Sequence, residues 1–306
     1  MRVVVVGLGV QGHKRRAVAG DEVVATVDPV NPEAKYRRLE DVPLASYDAA
    51  LVCTPDEAKI GLLTHLLSNG KHLLVEKPLF GEPQELLRLK SVAERKRVTC
   101  YTAYNHRFEP HFARMKALLD SGRLGKIYCI RMFYGNGTAR LVRDSAWRDK
   151  GAGVLPDLGS HLLDTAHFWL GRPVSGFRIH SASRFENRAF DHVVFGADAD
   201  PVLQFEVTLL SWRNHHYTDV FAEKGSAHIQ SLCKWGPSTF TLRDRVLPSG
   251  RPEEESDTLV QPDPTWAMEY EHFKKLCARG ESNIANDIWI NDTLADLSRQ
   301  ALGGEA

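Results

Sequence analysis

The sequence predicts an α/β protein in two parts: a doubly wound parallel sheet first, then an α/β region built on a mainly antiparallel sheet. Three observations predict this. The first hundred residues alternate apolar strand-like runs with amphipathic stretches, as parallel strands linked by helices do. From Tyr104 onward the alternation gives way to strand-like segments at short spacing, with little helix between them. The length of 306 residues exceeds what one hydrophobic core usually serves, so two domains are expected, 1–104 and 105–306.

The first element is Val3 to Val6, four β-branched residues in a row, which suits a strand buried on both faces. Gly7-Leu8-Gly9-Val10-Gln11-Gly12 follows at once and fits G-x-G-x-x-G. His13 to Ala19 reads as a short helix and Val23 to Val27 as a second strand, ending at Asp28, 21 residues after Gly7. Strand, glycine turn, helix, strand and acid is the context that a dinucleotide fingerprint requires. The glycines permit a tight turn and a close approach of the backbone to a pyrophosphate at a helix N-terminus. Asp28 would accept hydrogen bonds from an adenosine ribose and repel a 2′-phosphate, which favours NAD over NADP. The run His13-Lys14-Arg15-Arg16 is very polar for a helix packed on a sheet; its side chains either face solvent or help to hold phosphates.

Further strands read at Asp48–Cys53, Lys71–Val75 and Val98–Tyr104, with helices at Ile60–Leu67 and Gln84–Lys96. Ligands sit beyond the carboxyl ends of such strands, and Gly7, Asp28, Thr54, Lys77 and Asn105 all lie at those ends. Lys77, between a buried strand and Pro78, reads either as a surface lysine on a turn or as a group that hydrogen-bonds a substrate hydroxyl or carbonyl. In the second part, Asp157 and His161 are four residues apart, which in a helix puts both on one face, with Asp164 further along it. A carboxylate beside an imidazole fixes its tautomer and raises its basicity, as a general base requires; the alternative is a helix start with Asp157 as its cap and His161 packed in the core.

Residues 110–119 read as a helix and 126–134 as a strand. Residues 138–153 have no clear period and read as a loop, either a solvated one or one in which Arg140, Arg143, Trp147 and Arg148 grip an acidic or phosphorylated sugar. Six strand-like segments follow between Phe177 and Val246. Among them Arg213-Asn214-His215-His216-Tyr217 is expected to close the substrate pocket. Pro248 to Pro264 reads as an exposed loop, and Thr265–Ala278 and Ala285–Ala301 as the closing helices. A wide sheet with few helices leaves a face bare, which predicts a homodimer or homotetramer.

Lys plus Arg and Asp plus Glu both number 39, which argues against a nucleic-acid partner and gives no support for a membrane surface. No apolar run approaches the roughly 20 residues of a membrane span. Met1 leads straight into a strand, without a signal peptide. The five cysteines are scattered and never form CxxC, which fits reduced thiols in a cytoplasm and speaks against a cysteine metal site.

These residues resemble the Gfo/Idh/MocA oxidoreductases, which include glucose–fructose oxidoreductase and inositol dehydrogenase. The matching pieces are Gly7 to Gly12 with Asp28, Thr54-Pro55, and Gly70 to Leu79 with its Glu76-Lys77-Pro78. They continue through Asn105-His106-Arg107-Phe108, Gly122 to Gly125, and Asp157 to Asp164. The resemblance implies a Rossmann domain, then an α/β domain with a large open antiparallel sheet, and hydride transfer between nicotinamide and a sugar, cyclitol or related alcohol. It implies that Lys77 contacts both nicotinamide ribose and substrate and that Asp157 and His161 are the second catalytic pair; Gly7, Gly9, Val10, Gln11, Gly12, Asp28, Thr54, Pro55, Glu76, Lys77 and Asn105 are the residues expected to hold NAD. Lys77, Arg107, Trp147, Asp157, His161 and His216 would meet the substrate, with Lys77, Asp157 and His161 catalytic and no metal. Where the family often has a histidine five residues after the Thr of Thr-Pro, Lys59 stands here. Three other readings compete: a redox-neutral, NAD-assisted glycosidase on the same scaffold, a nucleotide sensor without turnover, and a metal site from Asp157, His161 and His215 or His216.

Overall fold

The computed structural model describes residues 1–145 and 148–303, so Trp147 lies outside the described residues. The chain divides into two compact units. One joins Met1–Asn105 to Thr265–Asn291; the other joins His106–Pro264 to the segment from Asp292 onward.

The first unit opens with β1 (Val3–Val6), α1 (Val10–Ala19) and β2 (Val23–Val27). It continues with β3 (Ala49–Val52), α2 (Asp56–Ser68), β4 (His72–Glu76), α3 (Pro83–Lys96) and β5 (Cys100–Ala103). Among the described residues these strands form a five-stranded sheet in the order β2-β1-β3-β4-β5. Every pair is parallel. Beyond β2, among the described residues, only Tyr36 continues the sheet, as one bridge to Val27. Both faces are buried, which is why the strands read as unbroken apolar runs. Val4, Val6, Val52 and Val75 pack under Leu63 and Leu67 of α2 and Leu86 and Leu89 of α3. The chain leaves β1 for β2 on one side and then crosses to β3 on the other, so the switch point lies at the end of β1, beside Gly7.

The second unit contains α4 (Pro110–Asp120), β6 (Ile127–Gly135), α5 (Ala139–Arg143), a π-helical turn at Leu155–Gly159, and α6 (Ser160–Leu170). Seven strands follow: β7 (Phe177–Ser183), β8 (His192–Ala197), β9 (Val202–Thr208), β10 (His215–Ala222), β11 (Gly225–Gln230), β12 (Ser238–Asp244) and β13 (Glu254–Leu259). Together with β6 they make an eight-stranded sheet in the order β13-β12-β11-β10-β6-β9-β8-β7, antiparallel except for the β6–β9 pair. Alternation sorts its faces. Ile130, Met132, Val220, Ala227, Ile229, Phe240 and Leu242 are buried. The opposite face carries Phe133, stacked on Tyr217 at 5.1 Å, and the exposed Phe221.

Two segments expected as loops contain regular structure. Residues 139–143 form α5. The 248–264 stretch contains β13, an exposed edge strand whose acidic side chains hid it. Glu254 meets Arg243 at 2.8 Å, Glu255 meets Arg123 at 2.8 Å, and Asp257 meets Arg114 at 3.1 Å. Charge along an edge strand also discourages pairing with further chains.

The chain ends in α7 (Thr265–Arg279) and α8 (Ile284–Gly303). The sequence assigned both to the second part, but Thr265–Asn291 completes the first unit. Tyr270, Phe273 and Leu276 of α7 pack with Val3, Val5, Leu51, Leu74 and Tyr101 on the sheet face that α1 leaves bare. α1 covers little of that face because Gly12, Arg15 and Ala19 are its only buried residues among those described.

Candidate functional site

The nucleotide end of the first unit is built from the carboxyl ends of its strands. Gly7, at φ +91°, needs its glycine: a Cβ there would lie 2.6 Å from the Cys53 carbonyl oxygen. Gly12 needs it for packing, because a Cβ would lie 1.9 Å from the Gly7 carbonyl oxygen. Gly9 is different. Its φ of −79° suits any residue, and a Cβ would meet nothing within 4 Å. The protein itself does not require that glycine, whereas a phosphate approaching the backbone would. α1 begins there with no side-chain cap and no acid in its first turn, so its N–H groups and dipole point at an uncompensated spot. Val10, 73% exposed, flanks it together with exposed Gln11.

Asp28 closes the loop from β2. Its carboxylate accepts N–H bonds from Leu8 (2.7 Å), Val30 (2.8 Å) and Asn31 (2.7 Å). Burial alone would raise its pKa, but these donors and nearby Arg37 hold it below the usual carboxylate range. A carboxylate offers about four lone-pair sites, so acceptor capacity remains for a ribose. Thr54, before Pro55 at the start of α2, has a buried hydroxyl with no hydrogen-bond partner among the described residues. The bare Gly9, the uncapped helix and the orphaned hydroxyl fit a dinucleotide. Asn105, after β5, donates to Thr265 Oγ1 at 3.0 Å.

Lys77 follows β4 and sits in a turn held from two sides. The Glu76 carboxylate takes Arg15 Nε at 2.6 Å, and Arg15 Nη2 meets Glu269 of α7 at 2.7 Å. Arg15 is 1% exposed and lies 4.3 Å from the Trp266 ring, so neither solvent nor phosphate claims it, and its partners are carboxylates of its own unit. The Lys59 ammonium reaches the carbonyls of Glu76 and Pro78, both at 3.0 Å.

In the second unit the π-helical turn re-aims Asp157 just before α6 begins; such turns recur at functional sites. Asp157 Oδ2 accepts from Arg148 Nη2 at 3.1 Å. His161, buried on α6, lies flat on His106, with ring centroids 4.1 Å apart, and presents an edge to Tyr134 at 5.6 Å. Lys234, in the turn after β11, places Nζ 3.0 Å from His106 Nε2. Burial first, then the charges of Asp157 and Glu109, push the Tyr134 phenol far above its ordinary range.

Arg107 forms a two-point pair with buried Asp164 (2.8 and 2.5 Å), which ties the segment after Asn105 to α6. His216 is 0% exposed beneath the histidine pair and bonds Thr218 Oγ1 at 3.0 Å, so its ring serves the packing behind His106. Asp157, His161 and His215 or His216 do not form a group close enough to share a cation among the described residues. Sequence reasoning missed His106, Tyr134 and Lys234. His106 stood inside a motif already singled out; Lys234 gave no local signal.

Comparison with known proteins matches residues 1–104 to an oxidoreductase family with an NAD-binding Rossmann fold, and residues 112–228 to the GFO/IDH/MocA C-terminal domain. The scyllo-inositol 2-dehydrogenase (NAD(+)) of Bacillus subtilis is 26% identical over 94% of this chain and 89% of its own. The inositol 2-dehydrogenase of Rhizobium meliloti is 27% identical over 43% of this chain and 39% of its own. The first of the curated relatives are thus matched over about two fifths of their length (38% and 39%). In fold, levoglucosan dehydrogenase in complex with NADH superposes with a TM-score of 0.84 at 17% identity, over 99% of this chain and 97% of that one. With the glycine loop and Asp28 at the switch point, the cofactor class is NAD, and the chain belongs to the GFO/IDH/MocA family of oxidoreductases.

Proposed function

We propose that this chain is an NAD-dependent dehydrogenase that moves a hydride between nicotinamide and a hydroxyl or carbonyl of a sugar, cyclitol or sugar derivative. One observation carries the reading: the glycine loop after β1 and Lys77 after β4 stand at the same edge of one sheet. They are two strand spacings apart, about 10 Å. Asp28 lies on the adenosine side of the switch point, and Thr54 and Lys77 lie on the other. The names of the relatives, inositol 2-dehydrogenases and a levoglucosan dehydrogenase, support a polyhydroxylated substrate.

Bound NAD supplies the hydride acceptor, and the residues supply the rest. Lys77 donates to the oxygen that becomes a carbonyl and steadies its developing charge. His161 takes the hydroxyl proton, and Asp157, held by Arg148, sets the polarity of its surroundings. Arg107 and Trp147 contact the substrate. Half-buried Tyr217 and exposed Phe221 on one face of the eight-stranded sheet support a homodimer or homotetramer of a cytoplasmic enzyme.

The test is NADH formation from NAD with a panel of sugars and cyclitols. His161→Ala and Lys77→Ala are expected to lower turnover by about 10²–10⁴-fold while NAD affinity stays nearly unchanged. Substrate hydrolysis without net NADH would instead establish the glycosidase, and NAD binding without any turnover the sensor.

A further inference from the structure

We propose that Lys59 is a positioning residue for Lys77, acting by clamping the backbone on both sides of it; this rests on the role given to Lys77 above. Lys59 is on α2 and only 3% exposed. Its Nζ has three acceptors: Asp56 Oδ1 at 2.6 Å, the Glu76 carbonyl at 3.0 Å and the Pro78 carbonyl at 3.0 Å. An ammonium has three donors, so all are used. Two of them close on the residues immediately before and after Lys77.

A buried lysine is normally a liability, because desolvation disfavours its charge. Here the charge is compensated by Asp56 and by the carbonyl dipoles of Glu76 and Pro78. The clamp is also two-sided. Lys59 comes from α2, on the sheet face packed around Leu63 and Leu86, and Arg15 comes from α1, on the face packed around Tyr270 and Phe273, to hold the Glu76 side chain. The Lys77 backbone is therefore pinned by one cation from each face of the sheet. A displacement of about 1 Å at a reacting group costs on the order of 10²-fold in rate. Holding this turn is therefore worth a buried charge.

Lys59→Met and Lys59→Gln in the full chain test this by hydrogen exchange and kinetics together. In Lys59→Met, amides 76–82 are expected to exchange about tenfold faster, while those of α3 and β5 keep their rates. Turnover should fall by about 10- to 100-fold, with the NADH dissociation constant changed by less than about threefold. Lys59→Gln, which still donates to a carbonyl, should fall between Met and the parent. Unchanged exchange at 76–82, or acceleration spread evenly across the first unit, overturns the proposal, the latter by making Lys59 merely structural. If the parent protein turns over no substrate, the dehydrogenase reading fails, yet the exchange pattern still decides whether the clamp exists.

Discussion

The imidazole of His106 lies nearly parallel to that of His161, with ring centroids 4.1 Å apart and planes 20° apart. Because an ammonium can only donate, the Lys234 contact makes His106 Nε2 an acceptor and leaves His106 a neutral ring. A flat neutral neighbour orients His161 without repelling the proton it gains. His106→Phe preserves the flat surface and is expected to lose about threefold in turnover, whereas His106→Ala loses about 10- to 100-fold. Steady-state NADH production distinguishes them; equal losses would show that the Lys234 hydrogen bond, and not the stack, is what matters.

The two glycines of the loop make opposite predictions. A Cβ on Gly12 collides with backbone, so Gly12→Ala should lower the melting temperature before any ligand is added. A Cβ on Gly9 collides with nothing in the protein. Gly9→Ala should melt like the parent yet bind NADH at least about tenfold more weakly, since the methyl occupies the approach of the phosphate. Isothermal titration and thermal shift on the same samples separate the two.

Arg15 is held by Glu76 and Glu269. Burial opposes its charge, but the two carboxylates more than offset this and raise its pKa above the usual value. Removing one member of such a group leaves the other charges uncompensated. Arg15→Met should lower unfolding free energy by about 3–5 kcal/mol in urea titration. Adding Glu269→Gln should restore part of the loss, because one stranded carboxylate is then gone.

Burial, then Lys234 and His215, depress His216 to about 3. The unfolded chain therefore takes up this proton near pH 6.5 and the folded chain only near 3. Stability from keeping His216 neutral is complete above about 6.5 and is lost as pH falls through that window. In His216→Phe the slope of unfolding free energy against pH between about 6 and 4 should shrink by up to about 1.4 kcal/mol per unit, one proton's worth. An unaltered slope would mean that the ring is not neutral in the folded chain.

The first unit was legible because its signals are local. Four valines, a glycine turn and an acid 21 residues on are contiguous facts. Lys77, Asp157 and His161 were singled out because each sits in a short motif. What stayed hidden depends on distant partners. Arg15 read as a base for solvent or for phosphate because Glu269 is 254 positions away. Lys234 meets His106 across 128 positions, and β13 is a strand only because β12 pairs with it. The π-helical turn at Asp157 arises from packing and leaves no periodic trace in the sequence.

The return of α7 to the first unit governs how the molecule can be made. A ribosome releases residues 1–105 long before Thr265–Asn291, so the nascent nucleotide domain waits with Val5 and Leu74 uncovered and Arg15 lacking its Glu269. The first unit is thus finished only by residues 265–291. An expression fragment cut at residue 105 inherits a bare hydrophobic flank, whereas one carrying 265–291 grafted after it would be self-contained.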